Sequence, residues 1–248
     1  DLSDGNIDVL ITAPIDKKTM QQDGFRFPGH TEYLAQQFNA PDHLMMLVSD
    51  RLRVATVTGH IPVKQVAAEL TKEKILSRIK VMNQSLKRDF GIRKPRIAVL
   101  GLNPHSGDNG LIGNEETEVI APAIKAAFDQ QILVYGPYPA DGFFGMAKFK
   151  SFDGVLAMYH DQGLVPFKSL SFDSGVNFTA GLPVVRTARH AFRSGGDLRD
   201  SDTFATKGAQ LVAVRVEPVR PEAEVERALE APTRERMQEE ADDREWWR

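Results

Sequence analysis

Apolar residues fall along this chain in short runs separated by longer amphipathic stretches. Ile7 to Thr12, Leu44 to Val48, Val54 to Thr58, Arg96 to Leu100, Ile132 to Tyr135 and Gly154 to Met158 read as strands. Glu69 to Lys87 has helical periodicity and few breakers, and Glu115 to Gln130 reads as a second helix. Glu115 and Glu116 stand in the first turn of that helix, where the dipole favours negative charge. Strands alternating with helices predict an α/β fold with a largely parallel sheet. From about Pro218 to Arg248 the pattern dissolves into Glu, Arg, Asp and Ala, which suits a solvated helix or disorder.

Composition narrows the function classes. With 248 residues, 42% of them apolar, the chain can bury a sizeable core. A net charge of -3 argues against a protein that coats nucleic acid. The absence of cysteine excludes disulfides, thiolate zinc sites and a Cys nucleophile. No apolar run reaches the length of a membrane span, and Asp1 to Gly5 does not read as a signal peptide. A cytoplasmic location with neither nucleic acid nor membrane as partner is therefore expected. The first residue is not Met, so the chain is expected to begin inside a longer protein.

Three of the six histidines share a context. His60 follows the run Val54 to Thr58, His105 follows Arg96 to Leu100 after a short turn, and His160 follows Gly154 to Met158. Each lies just past the carboxyl end of an expected strand, where open α/β sheets bind their ligands. Three imidazoles delivered there could converge on one metal ion and leave positions open for substrate. Singly, each reads better as a polar loop residue or a satisfied core group; the shared context of the three favours the metal.

Other features suit anions. Thr31, in Phe27-Pro28-Gly29-His30-Thr31-Glu32, is placed to cap a helix and turn its N–H groups toward an anion, or simply to cap it. Gly107, Gly110 and Gly113 make a loop that could wrap a ligand or merely turn. Lys168, Asn177 and Arg186 follow the third histidine, and a Lys and an Arg in one cleft would suit a phosphate and a carboxylate. Neither the Gly-x-Gly-x-x-Gly fingerprint at a strand–helix junction nor the Walker A pattern is present.

Five segments together resemble the 4-hydroxythreonine-4-phosphate dehydrogenase family. They are Phe27 to Glu32, Leu102-Asn103-Pro104-His105, Gly136-Pro137-Tyr138-Pro139-Ala140-Asp141, Met158-Tyr159-His160-Asp161-Gln162-Gly163 and Gly175 to Pro183. The resemblance implies an isocitrate/isopropylmalate dehydrogenase-like fold of two α/β lobes, which binds NAD without the glycine fingerprint. It implies a divalent metal (zinc, cobalt or magnesium) on His60, His105 and His160, and substrate contacts from His30, Thr31, Lys168, Asn177 and Arg186. It implies a homodimer with the active site at the subunit interface. The implied reaction is NAD-dependent oxidation of 4-phosphooxy-L-threonine in vitamin B6 synthesis, followed by loss of CO2 to give 3-amino-2-oxopropyl phosphate. Related enzymes acting on 4-phospho-threonate or 4-phospho-erythronate share these features, a zinc hydrolase could use the same three imidazoles, and an inactive metal-binding remnant is the further alternative. Lys168 and Asp141 are the chemical candidates for proton acceptor.

The resemblance covers residues 1–187 and implies a further segment upstream of Asp1. Residues 188–248 depart from the family's pattern, beginning with Ala188-Arg189-His190-Ala191. That break predicts a divergent, partly disordered tail arising from a shifted reading frame or a truncated gene product.

Overall fold

The computed structural model describes residues 9–12, 27, 30–40, 42–172, 174–182, 184–190 and 210–216. Within them run β1 (Val9–Thr12), β2 (Leu44–Val48), β3 (Arg53–Thr56), β4 (Arg96–Leu100), β5 (Leu133–Tyr138), β6 (Gly154–Ala157), β7 (Val176–Ala180), β8 (Val184–His190) and β9 (Gln210–Val216). They join in one sheet in the order β1-β9-β8-β7-β2-β3-β6-β4-β5. β3, β6, β4 and β5 pair in parallel. The other five pairings are antiparallel. The sheet is thus mixed, and its parallel part holds the three strands expected to deliver histidines. β9 falls in the stretch where the family pattern was lost, and it completes the sheet between β8 and β1. Residues 191–209 and 217–248 lie outside the described residues.

Side chains of the parallel strands leave the sheet on both faces by simple alternation. Ala55, Val99 and Leu156 enter one core with Ile75, Ile79, Met82 and Leu86. Val54, Ala98, Val155 and Ala157 enter the other with Phe143, Phe149, Leu164 and Phe167. Burial on both faces accounts for the continuous apolar runs of these strands.

The helices are α1 (His30–Gln37), α2 (Val66–Glu69), α3 (Lys72–Arg88), α4 (Ala121–Phe128), α5 (Ala140–Gly145) and α6 (His160–Ser171). Two differ from expectation for local reasons. The stretch Glu69 to Lys87 breaks at Leu70 and Thr71, both extended, because the Thr71 side chain accepts the Lys74 N–H and so caps α3. The stretch Glu115 to Gln130 opens as a π-type turn, Glu116–Ile120, before α4. Pro122 has no N–H to continue a regular ladder there.

α6 carries His160 at its first position and lies close against the sheet at Gly163. A Cβ on Gly163 would stand 3.0 Å from Val54 Cγ2, 3.1 Å from Ala157 Cβ and 3.3 Å from Thr56 Cγ2. The missing side chain therefore sets the height of α6 over β3 and β6. Gly163→Leu improves helix propensity, yet overpacking is expected to lower the unfolding free energy by roughly 1–3 kcal/mol. Urea denaturation reads this, and an unchanged or higher midpoint would contradict the packing argument.

Candidate active site at the strand ends

The parallel order β3-β6-β4-β5 brings four carboxyl ends to one end of the sheet. Side-chain hydrogen bonds fasten the segments that leave it. The Val57 and Thr58 N–H groups extend the ladder to Ala157 O (2.8 Å) and Met158 O (3.1 Å). The Thr58 hydroxyl also donates to Met158 O at 2.8 Å. Gln162 then ties the next pair: its Oε1 accepts the Met158 N–H at 2.7 Å, and its Nε2 donates to Gly101 O at 2.6 Å. Gly101 N–H donates to Tyr138 O at 2.8 Å, which links the β4 end to β5. One chain of bonds thus crosses from β3 to β5.

His60 and His160 project from this frame. Their ring centroids are 5.2 Å apart, with planes 47° to one another. His160 Nδ1 lies 2.6 Å from Asp161 Oδ1. That bond places the proton of a neutral imidazole on Nδ1 and leaves the Nε2 lone pair free, the arrangement common behind metal-binding histidines. His105 leaves the neighbouring β4 end on an exposed loop. Among the described residues no group of three His, Asp or Glu side chains is close enough to hold a metal. Two of the three imidazoles meet, and the third stands on the adjacent strand end. The donor chemistry of the pair, two imidazoles with one ring oriented by a carboxylate, fits a zinc-like ion.

The expected substrate contacts lie elsewhere. Asp141, in the first turn of α5, is exposed just past the β5 end. Lys168 is exposed in the last turn of α6. At about 1.5 Å per residue, the helix separates it from His160 by roughly 12 Å. Asn177 pairs with Leu47, and Leu47 with Val54 near the start of β3. At about 3.3 Å per residue that level is roughly 13 Å short of Thr58. Asn177 Oδ1 is buried and has no hydrogen-bond partner among the described residues. Arg186 pairs with Thr179 in the β7–β8 ladder. His30 opens α1 and Thr31 is its second residue, so Thr31 does not cap the helix as expected. The helix begins one position early, at His30.

Sequence reasoning missed Thr58, Asp161, Gln162 and Glu116. Gln162 bonds to a carbonyl 61 positions away, which no local pattern reveals. Glu116 read only as a first-turn acid, but it is buried against the loop that carries His105. Among the described residues no helix is long and apolar enough to cross a membrane.

The chain matches known proteins over most of its length. The family described as "Pyridoxal phosphate biosynthetic protein PdxA" matches residues 1–191. A 4-hydroxythreonine-4-phosphate dehydrogenase of Bacteroides thetaiotaomicron is 48% identical over 245 residues, covering 97% of this chain and 66% of that protein. One from Desulforapulum autotrophicum is 49% identical over 185 residues, covering 75% of this chain and 54% of that protein. The crystal structure of the Klebsiella pneumoniae 4-hydroxythreonine-4-phosphate dehydrogenase superposes with a TM-score of 0.67 at 43% identity, over 71% of this chain and 53% of that one. The chain therefore spans between half and two thirds of the length of these relatives, and it has their isocitrate/isopropylmalate dehydrogenase-like α/β fold.

The strand-end frame has a direct test. Gln162→Leu keeps the side-chain volume but strands the Met158 N–H and the Gly101 carbonyl. Unfolding free energy is expected to fall by about 1–3 kcal/mol. A variant as stable as the parent in thermal unfolding would show that these two bonds do not hold the frame.

Proposed function

The chain belongs to the pyridoxal phosphate biosynthetic protein PdxA family, and on that premise we propose that it works as an NAD-dependent dehydrogenase for 4-phosphooxy-L-threonine. The observation that carries the reading is the meeting of His60 and His160 past the ends of adjacent parallel strands, with His105 past the end of the third. These three would hold a divalent ion. When bound, the ion supplies Lewis acidity to the substrate's C3 hydroxyl, and NAD accepts the hydride.

The chain's own residues do the rest. Asp161 fixes the ring of His160. Lys168 and Arg186 would hold the phosphate and carboxylate, with Asn177 as a further polar contact to the substrate. His30 and Thr31 add substrate contacts. Asp141 or Lys168 would take the hydroxyl proton. Oxidation gives a β-keto acid, which loses CO2 and leaves 3-amino-2-oxopropyl phosphate. The reaction would run in the cytoplasm.

The distances bear on assembly. Lys168 and Asn177 stand well away from the histidines of their own chain, as the register and helix rise require. A homodimer that places Lys168 and Asn177 of one copy beside the histidines of the other would satisfy both sets at once.

Supplied with cobalt(II), NAD and 4-phosphooxy-L-threonine, the protein is expected to form NADH, and His105→Ala to abolish it. NADH formed faster from 4-phospho-threonate or 4-phospho-erythronate would reassign the substrate. Phosphate release without NADH would point to hydrolysis, and cobalt binding without turnover to a remnant. The shared site predicts complementation. His105→Ala and Lys168→Ala chains, each inactive, should recover about a quarter of parental activity when unfolded and refolded together, since half the dimers then hold one intact site. No recovery would place each site within one chain.

A further inference from the structure

We propose that Glu116 is a positioning residue for His105, holding in place the loop that presents this imidazole. The inference rests on the reading of His105 as a metal ligand. The loop between β4 and the π-type turn is unusual. His105, Ser106, Gly107, Asp108 and Asn109 are consecutive residues in left-handed conformation, with φ between 43° and 81°. L-residues other than glycine disfavour that region, and such strain persists only where surrounding contacts over-determine it.

Glu116 supplies contacts at the entrance of this loop. Only 3% of it is exposed. Its Oε1 accepts the N–H groups of Leu102 and Asn103, each at 2.7 Å. Its Oε2 accepts Asn103 Nδ2 at 2.9 Å. The same oxygen lies where a Cβ on Gly107 would come within 2.7 Å of it. One carboxylate therefore grips the loop at 102–103 by hydrogen bonds and passes close to Gly107, on either side of His105. Asn103 Nδ2 is shared with Glu115 Oε2 at 2.7 Å, which fastens the same point to the start of the helix. An ionised carboxylate accepts at both oxygens. A glutamine must turn an NH2 toward one or other set of N–H donors, so it cannot reproduce the grip. None of the steps proposed for the reaction uses Glu116, and its burial keeps it from substrate.

The test is cobalt(II) affinity, titrated by visible absorption on the whole chain, with circular dichroism as the check on folding. Glu116→Gln is expected to weaken cobalt binding ten- to a hundred-fold, the range for residues that orient a ligand. His105→Ala should weaken it at least as much. Adding Glu116→Gln to His105→Ala should weaken it no further, because the glutamate acts through that imidazole. Wild-type affinity in Glu116→Gln, with His105→Ala weakened, overturns the proposal alone. An equal further loss in the His105→Ala background also overturns it, since the glutamate would then act on the fold at large. Wild-type affinity in His105→Ala overturns the metal reading and the proposal with it. Should Glu116→Gln not fold, Glu116→Asp, which keeps the charge on a shorter arm, is read in the same cycle by the same criteria.

Discussion

Where a parallel ladder stops, each strand leaves N–H and C=O groups that its neighbour no longer meets, and buried groups of this kind must find partners. In this chain the partners are side chains from the segments that follow the strands. Thr58 satisfies Met158 O, Gln162 spans Met158 N–H and Gly101 O, and Glu116 takes the N–H groups of Leu102 and Asn103. Each bond that pays this debt also fixes a segment bearing a histidine. The place of the imidazoles is thus a by-product of backbone satisfaction, and the rest of the site inherits its geometry.

The packing below serves the same end. Apolar residues on both faces of β3, β6 and β4 leave the strands no freedom to slip, because a one-residue shift would exchange the two cores. α6 sits low on the sheet because Gly163 has no side chain. A rigid sheet with fastened ends suits the proposed reaction, in which hydride transfer depends on orientation. In the proposed dimer, a second copy would bridge the distances that separate Lys168 and Asn177 from His160 within one chain.

Much of this is legible in the sequence. Leu44–Val48 and Arg96–Leu100 are strands with the expected bounds, because continuous apolar runs between polar turns admit few alternatives. The strand-end position of His60, His105 and His160 followed from the runs Val54 to Thr58, Arg96 to Leu100 and Gly154 to Met158. Local exceptions were harder. Thr71 looks like an interior helical residue until its side chain is seen to cap α3. Pro122 reshapes the turn before it rather than ending the helix. Thr31 falls inside α1 because the helix starts at His30. Gln162 and Glu116 were invisible for a different reason: each acts on backbone far away in sequence, and neither its type nor its spacing reports that.

X-ray absorption of the cobalt-loaded protein counts the imidazoles around the ion and so reads whether His60, His105 and His160 converge on it. Three histidine nitrogens are expected around the ion, falling to two in His105→Ala. A shell of oxygens alone, or one unchanged by that substitution, would contradict that convergence.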